Sequence, residues 1–311
     1  MSLKLPGFYS VWGMKQMPRT EAPFGNKSYP YAVGRVKARE SSRLDRTQWG
    51  RLLEADSVQA MQILREYGYG GDSTETDIDL LTGEELHRTV VFINEITPDR
   101  TLTDLFLYPA DGQNLKLFLK ARLFSEENVD AYISRDGSLN PEILKVCVAQ
   151  EDFSLLPAAW QQVLTGIFEI TNPRLLSAAV DRAVFSLTEH VLKEKNNDLL
   201  RTYYETQVRY LNILAKMRAE RLHWGEKETR EMLLPMEGEL PSLPEEDISD
   251  IERKMNRELL EIVRSRRDDS FGIAPIVLFL LEKRTEARNL RILFAAKRAG
   301  LPVAADDLEL I

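Results

Sequence analysis

The spacings in this chain that come nearest to chemistry are two Glu-x-x-His pairs, Glu84 with His87 and Glu220 with His223. A carboxylate and an imidazole three residues apart share one helix face, and two such pairs on facing helices can hold a pair of iron or manganese ions. His190 with Glu194 makes a further pair one helical turn apart. The neighbours argue against a metal centre: Glu85 and Arg88 flank the first pair, and Arg221, Glu226 and Lys227 the second, as on a solvated face. In a chain that is 29% charged, two such matches also arise easily by chance. Other chemistries find less support. No G-x-x-x-x-G-K-[ST] phosphate loop and no G-x-S-x-G elbow occurs. Gly68-Tyr-Gly70-Gly71 follows a helical pattern and reads as its stop. Cys147 lies in an apolar helical run and reads as a buried, inert thiol. The expectation is a chain with no catalytic residue, no cofactor and no metal.

What recurs is architectural. Asn114-Leu115, Asn212-Ile213 and Asn289-Leu290 repeat one device, 98 and 77 residues apart, with Ala121, Ala219 and Ala296 seven residues after each Asn. Asp111 and Glu286 stand three residues before the first and last Asn; Arg209 holds that place in the middle copy. Gly137-Ser-Leu139 and Gly238-Glu-Leu240 follow the first two, each with a proline close behind, Pro141 and Pro241. Asparagine is a poor helix former, so its placement beside an apolar stripe calls for a reason. An amide there can bond a neighbouring backbone and fix how two segments cross, while a small Ala two turns on lets helices approach. These eight positions are read as structural, and no partner interface is assigned.

The elements that must carry this pattern are helices. Upstream of each Asn comes a break, at Pro98-Asp99, Asn196-Asn197 and Asp269-Ser270, and before each break a helical run: Gly83–Ile96, Pro173–Lys195 and Asp247–Arg267. A unit of paired helices therefore appears three times. The hairpin 173–222 is the clearest copy, with Leu176, Val180, Val184 and Leu187 at helical spacing. The last helix, Glu286 to Pro302, sets Arg288, Arg291 and Arg298 on a polar face and stops at Gly300. Nearer the start, Asp45-Arg-Thr-Gln48 resembles a capping box and Asp56-Ser57 a second cap, leading to short helices like those after Asn114: Leu115–Phe124, Ser125–Ile133 and Pro141–Gln150. Residues 1–30, with Phe8, Tyr9, Trp12, Phe24 and Tyr29, read as an irregular arm that packs on something. The chain thus divides into residues 1–78, packing with 246–311 to complete one unit, a second unit 79–170, a third 171–245, and the C-terminal hairpin 246–311.

Composition sets the outer bounds. With 43% hydrophobic residues, 311 residues can bury a substantial core. A balance of 41 basic against 49 acidic residues, net −8, argues against a nucleic-acid binder. One cysteine permits no internal disulfide and suits a reducing compartment. The first residues lack a signal-peptide core, and the longest apolar run, Ile273–Leu281, is far below the roughly 20 residues of a spanning helix. A soluble protein without direct membrane insertion is expected.

With these residues in view, the chain resembles the C subunit of the A/V-type (V-type) rotary ATPases and ATP synthases, called the d subunit in the eukaryotic vacuolar enzyme. The resemblance runs from about Tyr31 to Pro302 and rests on Tyr31-Ala-Val-Gly-Arg35-Val-Lys-Ala-Arg-Glu, Arg51-Leu-Leu-Glu-Ala, Asp111-x-x-Asn114-Leu, Val180-Asp181-Arg-Ala-Val-Phe185 and Gly238-Glu-Leu-Pro241. Its most specific part is Glu286-Ala-Arg-Asn289-Leu-Arg-Ile followed by Lys297-Arg-Ala-Gly-Leu-Pro302. The resemblance implies an all-α, multihelical, funnel-like protein of three similar units in pseudo-threefold arrangement. It implies a non-catalytic rotor adaptor on the cytoplasmic face, linking the D and F stalk subunits to the membrane proteolipid ring and passing torque for ATP-coupled H⁺ or Na⁺ transport. Two readings compete with it: a helical-repeat scaffold that binds a protein partner in a groove, and the di-metal carboxylate enzyme considered above.

Overall fold

The computed structural model describes residues 28–126, 129–239, 242–304 and 308. Its elements are α1 (Tyr29–Arg39), α2 (Arg46–Glu54), α3 (Ser57–Glu66), α4 (Ile78–Ile96), α5 (Arg100–Asp104), α6 (Tyr108–Phe124) and α7 (Pro141–Gln150). There follow α8 (Ala158–Val163), α9 (Pro173–Lys195), α10 (Asp198–Arg221), α11 (Glu226–Met232), α12 (Ile248–Arg264) and α13 (Ala274–Arg298). The described residues contain no strand, so the fold is all-α.

Local sequence explains most boundaries. Asp45 and Gln48 form a reciprocal capping box at α2, and Asp56 accepts from the Val58 and Gln59 backbone N–H groups at α3. Gly68, Gly70 and Gly71, all with positive φ, end α3 as expected. Asn196, in the left-handed region, closes α9, and the next residue, Asn197, caps α10. Gly300 (φ +68°) ends the last helix through a Leu301 N–H to Ala296 carbonyl bond of 2.9 Å.

Several expectations are corrected. The helix expected from Gly83 begins five residues earlier at Ile78, because the Asp77 carboxylate caps the Asp79 and Leu80 N–H groups. The run expected over Asp247–Arg267 is Ile248–Arg264. Ser125, left-handed, ends α6, and among the described residues of the helix expected over 125–133 there is a 3₁₀ turn, Asp130–Tyr132, and no α-helix. The helical segment expected from Tyr31 starts at Tyr29, with Pro30 in its first turn. The packing expected of the arm falls on residues 1–27, outside the described ones, as do Leu240 and Pro241.

The largest correction concerns pairing. Helices α9 and α10 are both present, but they diverge from the Asn196 joint instead of packing along each other. Each Asn-bearing helix packs on the opening helix of the following unit: α6 on α9, α10 on α12, and α13 back on α4. Of the three expected helix pairs, α12 and α13 are the one whose members also pack on each other. Gly112 permits the close approach of α6 to α9, since a Cβ there would lie 2.9 Å from Val184 Cγ2. A central core joins α1, α4, α9, α10, α12 and α13 through residues such as Ile93, Leu200, Val263 and Ile276. A second core fills the α6–α9 segment around Leu115, Leu144 and Trp160. A third joins α2 and α3 to α4 and the end of α13 through Leu52, Leu64, Leu81 and Leu290.

Candidate functional site

The repeated asparagines are buried, and the first two act as clasps. Asn114 in α6 donates to the Ser134 carbonyl (2.8 Å) and accepts from the Ser134 N–H (2.9 Å). Asn212 in α10 does the same to Leu234, donating to its carbonyl (2.9 Å) and accepting from its N–H (2.8 Å). One side-chain amide therefore satisfies both polar groups of one residue in a returning loop, which a helical neighbour could not do. Asn289 is 1% exposed. Of the alanines seven residues on, Ala121 and Ala219 are buried and Ala296 is partly buried.

The acids three residues before the first and last Asn also hold loops. Asp111 Oδ2 accepts from the Ser138 N–H (3.0 Å) and hydroxyl (2.6 Å), and Oδ1 from the Leu139 N–H (3.0 Å). Leu139 directly precedes Asn140, the cap of α7. Glu286 in α13 accepts from the Leu44 N–H (2.6 Å), and Leu44 directly precedes Asp45, the cap of α2. Gly137 is required beside the first site: a Cβ there would collide with Asp111 Oδ1. Burial, with a smaller contribution from Asp104, pushes the Asp111 carboxyl up to about 6 in spite of its three donors. Arg209 stands at the middle position and turns to α12, where Glu258 takes its guanidinium (3.0 Å) and the Tyr210 hydroxyl (2.5 Å).

The sequence reading missed a buried ion cluster. Lys283 in α13 is 1% exposed and meets Glu286 (2.6 Å), Glu85 of α4 (3.0 Å) and the Ser42 carbonyl (3.3 Å), with the Tyr69 ring over its ammonium at 4.9 Å. Burial alone would raise the Glu85 carboxyl, but Lys283 and Arg88 hold it below its ordinary value. Glu282 takes Arg43 and Arg264. In the same turn of the helix, Arg284 donates to the Phe106 carbonyl (2.6 Å) and to Asp136 (2.9 Å), in the loop that Asn114 and Asp111 hold. Helix α13 thus joins the first segment, α4 and the 134–139 loop. The one available signal was Glu282-Lys283 immediately after a nine-residue apolar run, with Glu286 three residues on. On the polar face of α13, Arg291, its side chain 42% exposed, donates to Thr82 (2.8 Å) in α4.

The Glu-x-x-His pairs serve other ends. Glu84 and His87 are exposed on α4, and His87 Nδ1 lies 3.0 Å from the Arg135 carbonyl. His223 falls beyond the end of α10 with a left-handed backbone, so it does not share a helix face with Glu220. Among the described residues no group of three or more His, Cys, Asp or Glu could hold a metal ion. Cys147 is fully buried, and burial raises its thiol.

Where α9 and α10 diverge they leave a basin of about 850 Å³. Phe185, Glu189 and His190 of α9 face Tyr204, Glu205 and Val208 of α10 across it. The Tyr204 hydroxyl is buried with no hydrogen-bond partner among the described residues. No constellation of nucleophile, base and oxyanion donors accompanies the basin among the described residues.

No helix among the described residues is long and apolar enough to cross a membrane. Comparison with known proteins points one way. The model of the ATP synthase (C/AC39) subunit family matches residues 32–243 and 226–305. The A-type ATP synthase C subunit of Methanosarcina acetivorans is 23% identical, over 94% of this chain and 95% of the relative. That of Methanosarcina barkeri is 22% identical over the same shares. Its counterpart in Desulfurococcus sp. (strain SY) is 22% identical over 85% of each chain. Matched over nearly all its described length, the chain belongs to the ATP synthase (C/AC39) subunit family.

Proposed function

We propose that this protein is the central-stalk adaptor of an A/V-type rotary ATPase, seated on the cytoplasmic face of the membrane proteolipid ring and receiving the foot of the D and F stalk subunits. It carries torque between ATP turnover in the catalytic head and H⁺ or Na⁺ movement at the ring, and performs no catalysis itself. The observation that carries this reading is the family match over residues 32–305. The packing is in keeping with it. A torque adaptor must resist twisting, and buried clasps that fix loop to helix, with a cluster joining α13 to α4, suit that task. On this reading α6 on α9, α10 on α12 and α13 on α4 are three related joints of a pseudo-threefold body. Residues 28–78 then complete the unit of α12 and α13, and the asparagines, alanines and acids of the repeat are architectural. The basin between α9 and α10 is the place we assign to a partner's foot.

The test is a tagged pull-down from gently solubilised membranes at low salt, with co-purifying chains identified by mass spectrometry. Recovery of the A, B, D and F subunits with a proteolipid is expected. Recovery of this chain alone, from the soluble fraction, would refute the adaptor reading.

A further inference from the structure

The α6–α9, α10–α12 and α13–α4 joints are not built alike. At the α6–α9 joint, α7 and α8 add Leu144 and Trp160 to the shared core. At the α13–α4 joint, α2 and α3 do the same with Leu52 and Leu64. The α10–α12 joint has no such cover. Helix α11, which follows α10, buries none of its residues, and no further α-helix precedes α12 among the described residues. The inner ends of α10 and α12 reach the central core through residues such as Leu200 and Val263. Beyond them the core shrinks to Tyr210, Ile213, Leu214 and Ile251, rimmed by half-buried side chains such as Met217 and Ile248.

Charge takes over where apolar cover ends. Arg209 meets Glu258 (3.0 Å), Arg218 meets Glu252 (2.6 Å) and Arg221 meets Asp247 (3.5 Å), three pairs spaced along the joint. Each of these six side chains is between 41% and 77% exposed. The counterpart at the α13–α4 joint, Lys283 with Glu85, is 1% and 10% exposed. Salt screens pairs of the first kind and hardly reaches the second.

We propose that residues 209–221 and 247–258 form a salt-latched seam, which opens while the inner ends of α10 and α12 and the other two joints stay closed. A small core held by screened pairs makes a region of low local stability. Once parted from α10, the outer stretch of α12 is too short to hold a helix alone. The seam also bears on the basin between α9 and α10. Arg209 lines the basin and latches it to α12, and the Asn212 clasp holds Leu234, next to Pro235, Met236 and Glu237 on the basin wall. Opening the seam therefore lets that wall move and the basin widen. That the widening admits a partner's foot rests on the adaptor reading; the seam itself does not.

The test is hydrogen exchange of the full isolated chain, read by mass spectrometry at roughly 0.01 M and 1 M sodium chloride, between which the screening length falls from about 30 to about 3 Å. Peptides from 209–221 and 247–258 should exchange about fivefold faster at high salt, as screening of three exposed pairs implies, while peptides of α6, α9, α13 and α4 keep their rates within about twofold. Glu252→Gln with Glu258→Gln should bring the fast exchange to low salt, and the reversed pair Arg218→Glu with Glu252→Arg should keep the native response. Seam peptides that ignore salt, a change of equal size at all three joints, or native-like slow exchange in the double Gln variant would each overturn the proposal. The salt comparison needs no substitution, so a variant that fails to fold leaves it decisive. No partner protein is present, so a failed membrane pull-down leaves this result readable, and a salt-insensitive seam leaves the adaptor reading standing.

Discussion

Asp111 and Glu286 hang a loop from a helix in the same way, each accepting the N–H of a leucine that directly precedes a helix cap. Their surroundings differ. Glu286 has the Lys283 ammonium at 2.6 Å, inside a cluster that also neutralises Glu85. Asp111 enters no ion pair among the described residues and relies on three hydrogen-bond donors in a buried setting. The same mechanical joint is thus built once with a counter-charge and once without. What separates them is protonation, since hydrogen bonds alone do not offset the loss of water around Asp111. In the middle copy no acid is used at all, and the asparagine clasp at Asn212 remains. The amide is therefore common to the first two joints and the acid is a variable addition.

Removing the counter-charge breaks the comparison most severely. Lys283→Met leaves Glu85 and Glu286 buried without their shared cation, and should cost about 3–5 kcal/mol in urea unfolding at neutral pH. The deficit should shrink as the pH falls and Glu85, whose carboxyl Lys283 helps hold below its ordinary value, takes up its proton; a deficit independent of pH would show that lost packing, not lost charge, is responsible.

The titration of Asp111 comes next. Its carboxyl is raised in the fold from 3.8 to about 6, so the folded state binds the proton more tightly. The stability this contributes is complete below the unfolded value and is lost as the pH rises through about 6. Asp111→Asn cannot titrate, and the difference between its pH–stability curve and that of the native protein should change by about 3 kcal/mol across that window. A constant difference would show that Asp111 stays ionised throughout.

Removing a clasp follows. Asn114→Leu or Asn212→Leu strands one half-buried N–H and one carbonyl, a loss of about 1–3 kcal/mol. The two variants should differ in hydrogen exchange. The amide of Leu234 should lose protection in the second variant, whereas Leu139 should keep its protection in the first because Asp111 still holds it. Equal loss along both loops would mean that the acid adds no separate anchor. The smallest effect is expected at Arg209→Ala, which removes a guanidinium 43% exposed from a carboxylate 41% exposed and should cost less than about 1 kcal/mol.

How much of this was readable beforehand follows the range of each interaction. Asn114, Asn212, Asp111 and the Gly137-Ser-Leu139 echo stood out because each clasp joins positions at a modest separation, 20, 22 and 27 residues, and needs particular residue types. The caps at Asp45 and Asp56 were readable for the same local reason. The choice of partner helix was not. The apolar stripes of α9 and α10 suit a hairpin as well as they suit α6 and α12, and only the sum of distant contacts decides. Lys283 also escaped notice, because a lysine at the end of an apolar run ordinarily reaches water, and its partner Glu85 lies almost two hundred residues earlier.

The return of α13 onto α4 has a consequence for how the protein is made. During synthesis α4 leaves the ribosome long before α13 exists, so its buried face, with Leu81, Val90 and Ile93, waits without its cover. Such late closure delays completion of the fold and leaves apolar surface open to wrong partners meanwhile. A message truncated ahead of residue 274 would release a chain whose early helices never obtain that cover, and cellular proteases should clear it.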